Sequence, residues 1–364
     1  MKPVLTRRRF IRNGIAASML IGIRKLTGLG FFHQPEDKIS TFCRRLVPIG
    51  RTIETKGYYV WGTSPVKAPD GKIHVFYSRW NAEGKMGGWL NTSEIAHAVA
   101  DSPESPFSYI ETVLAPRGGG YWDGTTCHNP HIKKVDGKYC LFYIGNSNRK
   151  MDTKRIGLAM ADSLNGPWLR PDKTLLEVTP DEDAWDSFCT SNPSFLKHPN
   201  GQYWLYYKSW NSREYYHYTD PRIRGNRKYG LAIAENLTGP YIKYKGNPVI
   251  DFSGRGNNTQ FEDAYVWYEN GKFKIVSRDM GIFGHTYGLY MESDDGINWT
   301  EPLIGYLDTD SYFKQPPAPP HLSKYGRFER PQLLIENGRP THLFVTTQGG
   351  KYMTSSAFVF KINK

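Results

Sequence analysis

Side chains able to move protons or hold a polar ligand fall at recurrent positions in this 364-residue chain. Phe261-Glu262-Asp263 sets two acids side by side, and Arg327-Phe328-Glu329-Arg330 sets an acid between two arginines. Trp122-Asp123 precedes Asn129-Pro130 by seven residues, and Trp185-Asp186 precedes Asn192-Pro193 by the same interval. Adjacent acids are costly to bury unless a cation or a proton neutralises them. Arg278, Arg330 and Lys208 are the candidate cations, and His285 and His321 sit near the acids in Gly- and Pro-rich loops. Neighbouring carboxyl groups push each other's pKa values apart, which gives one base and one acid near neutral pH. Indoles offer flat apolar faces for pyranose C–H groups, while fixed amides and carboxylates read hydroxyls. The chemistry these residues imply is that of a polar, aromatic-lined sugar site.

Five segments that could position such residues share one pattern. Each has a polar residue, usually before Pro, then an apolar stretch, Asp-Gly or Asn-Gly, and an aromatic-rich run. They begin at Ser64-Pro65, Asn129-Pro130, Asn192-Pro193, Asp263-Ala264 and Arg330-Pro331. Their turn glycines, Gly71, Gly137, Gly201, Gly271 and Gly338, are spaced by 66, 64, 70 and 67 residues. Such pairs between apolar runs signal hairpins, because both turn residues must tolerate positive φ. Third strands follow at Gly157, Gly230 and Gly288, each leading to a turn and an aromatic strand near Trp168, Tyr241 and Trp299. Five such units predict an all-β fold: a five-bladed β-propeller with four antiparallel strands per blade, spanning residues 36–364. The strand near Arg45–Ile53 is expected to complete the last blade and close the ring. A β-sandwich is the alternative, and the regular spacing counts against it.

In a propeller the inner strands converge on one mouth. That mouth is expected to collect Trp61, Ser64, Trp122, Asp123, His128, Asn129, Trp185, Asp186, Asn192, Glu262, Asp263, Glu329 and Arg330, with Lys208, Arg278 and His285 close by. The repeated Trp-Asp element has two readings: catalytic residues at the mouth, or a turn between blades in which Asp caps and Trp fills the interface.

The 39% hydrophobic and 14% aromatic content excludes a multi-span membrane protein, and 36 Gly with 24 Pro favours turns over long helices. Of the net charge of +12, seven positive charges lie in residues 1–35, which contain no acid. The remainder has no basic cluster of the kind that neutralises phosphates, so nucleic acid is not an expected partner. Thr6-Arg7-Arg8-Arg9-Phe10-Ile11-Arg12 resembles the bacterial twin-arginine export motif. The apolar stretch Gly14–Ile23 after it is too short to span a bilayer and suits a signal peptide. Residues 1–35 are therefore expected to be an export signal, leaving a periplasmic or secreted protein without an integral membrane span. Cys43, Cys127, Cys140 and Cys189 show no metal-ligand spacing and are expected to be mainly buried thiols.

From about residue 55 onward these segments resemble the five-bladed glycoside hydrolases of family 43. In acid placement they resemble the neoagarobiose hydrolases of family 117. Family 43 implies an Asp base, a pKa-tuning Asp and a Glu acid in blades one to three, where this chain carries Ser64, Asn129 and Asn192. The family 117 pattern implies Asp123 or Asp186 as base, Asp263 as tuning residue, Glu329 as partner or acid, and His321 as an alternative acid. The likeness implies an exo-acting, inverting hydrolase that removes a terminal sugar from an oligosaccharide or polysaccharide. Such chemistry requires no cofactor or metal, and a structural Ca or Na ion on the axis is left open. Two other readings stand: a glycoside phosphorylase, its phosphate held by Arg278, Arg330 and Lys208, or a non-catalytic glycan-binding propeller.

Overall fold

In the computed structural model, which describes residues 36–314 and 326–364, the chain forms five antiparallel sheets arranged as the blades of a propeller. The export signal expected at residues 1–35, and His321, lie outside the described residues. The inner strands are Tyr58–Lys67, Thr126–Val135, Ser191–Lys197, Gln260–Glu269 and Glu329–Glu336. All five turn glycines have positive φ, between 76° and 99°. In Asp136-Gly137, Asn270-Gly271 and Asn337-Gly338 both residues do, which is the two-residue turn whose twist matches that of the strands it joins. Neighbouring blades are tied by inner-strand hydroxyls: Ile132 N–H donates to Ser64 Oγ at 3.0 Å and Val266 N–H to Ser194 Oγ at 2.8 Å.

Four sheets have four strands, and blade two has three. Its expected fourth strand is reduced to single bridges from Leu169 to Met160 and from Leu176 to Ile156. Pro167 and Pro171 lie in this stretch, and proline has no N–H to donate to a ladder. The ring closes as expected: Leu46–Ile53 pairs antiparallel with Thr354–Ile362 and becomes the outer strand of blade five. All four cysteines are buried and unbridged. Among the described residues no helix is long and apolar enough to cross a membrane.

Each inner strand is bulged near its start, where the ladder register shifts: Trp61/Ser64, His128/His131, Glu262/Tyr265, Glu329/Gln332, and opposite Tyr206/Lys208 in blade three. The bulged residues Gly62, Asn129, Asn192, Asp263 and Arg330 all have φ between 46° and 64°. This corrects the register expected for blade one. Ser64 pairs with Phe76 as His131 pairs with Phe142, so Gly62, not Ser64, is the counterpart of Asn129 and Asn192. Pro65 suggested the other alignment because three of the remaining blades have proline directly after the bulge. The bulge also breaks strand alternation, which would send consecutive side chains to opposite faces. Both members of His128-Asn129, Glu262-Asp263 and Glu329-Arg330 consequently face the same mouth.

Candidate active site

The mouth is a cavity of about 150 Å³ at one end of the axis. Its floor is the ring of bulged residues. Asn129 Nδ2 donates to Asn192 Oδ1 at 3.2 Å, and Asn192 Nδ2 donates to Asp263 Oδ1 at 2.7 Å. Arg330 reaches the same carboxylate through its backbone N–H, at 3.3 Å, and Nη1, at 3.4 Å. Gly62 brings no side chain to the fifth place. A Cβ there would lie 3.1 Å from Asn129 Oδ1 and 3.6 Å from Arg330 Nε. Asn129 Oδ1 and Arg330 Nε and Nη2 are buried without a hydrogen-bond partner.

The wall carries the charge. Glu262 is ion-paired with Lys208, with Arg227 Nε at 3.7 Å and with Arg278 Nη1 at 3.7 Å. Glu329 is gripped by Arg278 and by Arg327, whose Nε lies 2.8 Å away. Burial pushes the Asp263 pKa up and the Glu262 charge adds to this, against the pull of Arg330. Desolvation opposes ionisation of Glu262 as well, but Lys208, Arg227 and Arg278 outweigh it and hold Glu262 well below the usual carboxylate range. His128, stacked on Trp89 at 4.8 Å and bonded through Nδ1 to Ser93 Oγ at 2.9 Å, is kept neutral by burial and by the cations around it. Trp61, Trp89 and Trp210 supply flat apolar wall, with Met86, Ile144 and Met151. Two carboxyl groups with opposed proton affinities, in a pocket walled by indoles, can protonate a leaving oxygen and activate a water.

Of the residues read from the sequence, Trp61, His128, Asn129, Asn192, Lys208, Glu262, Asp263, Arg278, Glu329 and Arg330 line this cavity. Asp123 and Asp186 do not, and the sequence expectation of a base at either position is corrected. Asp123 is wholly buried, accepting from Tyr143 Oη at 2.8 Å, Arg117 Nε at 2.7 Å and Arg170 Nη1 at 3.2 Å. Asp186 accepts from Tyr207 Oη at 2.8 Å and pairs with Lys243 Nζ at 2.6 Å. Trp122 and Trp185 lie on the glycines of the third strands, where a Cβ at Gly157 or Gly230 would come within 2.2 or 2.6 Å of the indole. The repeated Trp-Asp element is thus a brace within blades two and three. His285, at φ 66°, donates its N–H to Asp279 at 2.7 Å and is not part of the cavity wall.

Sequence reasoning missed Trp89, Lys154, Trp210 and Arg227. A signal for two of them was present: Lys154 and Arg227 each stand three residues before the Gly-Leu-Ala segment of their blade. Among the described residues no group of three or more His, Cys, Asp or Glu is placed to hold a metal ion.

No protein-family model matches the chain, and no curated protein does. Solved structures do. A family 117 glycoside hydrolase of the marine bacterium Zobellia galactanivorans superposes with a TM-score of 0.62 at 16% identity, covering 87% of this chain and 89% of that one. A family 43 β-xylosidase/α-arabinofuranosidase from a compost metagenome gives 0.58 at 15% identity, over 87% of this chain and 93% of that one. A Bacillus subtilis arabinanase gives 0.55 at 13% identity, over 86% and 96%. At such identities the likeness establishes the five-bladed fold, and the first two of these structures carry the names of the two families expected from the sequence.

Proposed function

We propose that the protein is an exported glycoside hydrolase that removes a terminal sugar from an oligosaccharide or polysaccharide. The observation that carries this reading is the opposed shift of Glu262 and Asp263 inside one aromatic-walled cavity. We assign Asp263, whose proton affinity burial raises, as the acid that protonates the glycosidic oxygen, and Glu262, held ionised by its cations, as the base that takes a proton from the attacking water. The sugar leaves with inverted configuration, a course that needs the two carboxyl groups roughly 6.5–9.5 Å apart with water between them. Glu329, gripped by Arg327, holds Arg278 against Glu262. A cavity of about 150 Å³ is well below the roughly 300–1,000 Å³ of sites for drug-sized ligands, which suits one terminal ring rather than an internal chain segment. The likeness to glycoside hydrolase structures supports the same class.

Phosphorolysis is less well supported. Arg278, Arg330 and Lys208, the cations expected to hold phosphate, are each engaged by a carboxyl group of the cavity wall. Export is proposed from Arg7-Arg8-Arg9 and the apolar stretch Gly14–Ile23. Glu262→Gln and Asp263→Asn test the assignment. Each is expected to lower kcat about 10²–10⁴-fold, the range for a lost general acid or base, with sugar binding retained. Turnover surviving in both variants overturns it.

A further inference from the structure

We propose that the sugar bound in this cavity carries a negative charge, a carboxylate or a sulfate ester, that pairs with Lys154. The inference rests on the glycosidase reading of the same cavity and names its substrate class. The cavity wall holds five cationic side chains, Lys154, Lys208, Arg227, Arg278 and Arg330, against three carboxyl groups, Glu262, Asp263 and Glu329. Lys208, Arg227 and Arg278 each have the Glu262 carboxylate within 4 Å, and Arg330 has the Asp263 carboxyl group at 3.4 Å. Lys154 has no carboxyl group that close among the described residues, although it is only 4% exposed. Its ammonium lies 4.6 Å from the Trp210 ring and 5.8 Å from the Trp89 ring.

A desolvated ammonium with no carboxylate in contact costs several kcal/mol, and two indole faces and the more distant Glu262 charge offset only part of that. Its counterpart makes the contrast. Arg227 occupies the same place before the next Gly-Leu-Ala segment, faces the same Trp210 ring at 5.2 Å, and has Glu262 at 3.7 Å. An apolar side chain would fill the Lys154 position at lower cost if packing were its only role. The indoles beside it are the surfaces on which a sugar ring stacks, so an acidic substituent on that ring meets Lys154 at the cavity wall.

The test is titration calorimetry of the full chain and of Lys154→Met. The probes are glucuronate, galacturonate and galactose 6-sulfate, each beside glucose or galactose, with inorganic sulfate and phosphate as controls. Anionic sugars are expected to bind roughly 10- to 100-fold tighter than neutral ones, the range of one charge-assisted hydrogen bond. Lys154→Met should erase that difference and melt no lower than the parent. Neutral sugars binding as tightly as anionic ones, or a preference that survives Lys154→Met, overturns the inference. So does inorganic phosphate or sulfate binding as tightly as the anionic sugars, which would assign Lys154 to a free anion. Cleavage assays separate the two claims. Lys154-dependent binding without cleavage of any uronide or sulfated oligosaccharide sinks the hydrolase and leaves the anionic site. Glu262-dependent cleavage of neutral oligosaccharides alone does the reverse.

Discussion

Glu262 and Asp263 differ by one position in the chain and by opposite shifts in proton affinity, and the surroundings explain both. Lys208, Arg227 and Arg278 surround the first, whereas the second sits in the amide ring of the floor, with Arg330 foremost among the cations opposing its rise. The sign of the pH dependence follows. Activity is expected to fall with decreasing pH as Glu262 takes up a proton, and with increasing pH as Asp263 loses its own. Because Arg330 lowers the Asp263 pKa, Arg330→Gln should move the alkaline limb of the kcat/KM profile to higher pH. A limb that stays or moves down contradicts the assignment of Asp263. Burial brings Lys154 down to about 8 from 10.5, so its charged form is disfavoured by folding below that window. Lys154→Met should therefore stabilise the protein at pH 7 by on the order of 2–3 kcal/mol, seen as a higher Tm, and the gain should shrink as pH rises from 8 to 10.5. The acids at 262, 263 and 329 were legible because adjacent charges at a strand start demand partners. Asp123 and Asp186 were misplaced because their partners, Tyr143, Arg117 and Arg170 for one and Tyr207 and Lys243 for the other, lie apart in sequence and carry no local signal.

The elements that deliver these residues are a hairpin and a bulge, repeated five times. The hairpins were legible, because Asp-Gly and Asn-Gly specify the turn chemically. The bulges were not, since no single residue type marks them: Gly, Asn, Asp and Arg all occupy the same left-handed place. That uncertainty produced the two-residue slip at Ser64. The glycines of the Gly-Leu-Ala strands have a separate cause, the indole resting on each. Gly157→Ala would bring a Cβ within 2.2 Å of Trp122 and should cost about 1–3 kcal/mol in denaturant unfolding, as overpacking does. Asp123→Asn should destabilise by roughly 3 kcal/mol or more, because Arg117 and Arg170 lose a buried partner, yet leave kcat near the parent value. A loss of kcat by 100-fold in a folded Asp123→Asn protein would restore the role read from the sequence.

At the scale of the whole molecule, the ring is held shut by one strand from each end of the propeller. Leu46 and Ile53 are buried where Leu46–Ile53 pairs with Thr354–Ile362, and Ser355 Oγ accepts from Val60 N–H at 2.6 Å. A chain starting at residue 55 leaves that strand edge unpaired and should lose cooperative thermal unfolding, as followed by calorimetry. The repeat period and the number of units made this architecture readable, whereas the strand count of blade two depended on prolines that the pattern alone did not weigh. The closed ring converges five strand starts on one cavity, and that convergence makes the cavity the place to test function. The most direct measurement is sugar release from a broad panel of neutral, uronic and sulfated oligosaccharides, with and without phosphate, by the parent protein, Glu262→Gln and Asp263→Asn. The expected result is release of one terminal monosaccharide, indifferent to phosphate and reduced at least about 100-fold in both folded variants. Release that persists in both, or sugar binding without any release across the panel, would contradict it.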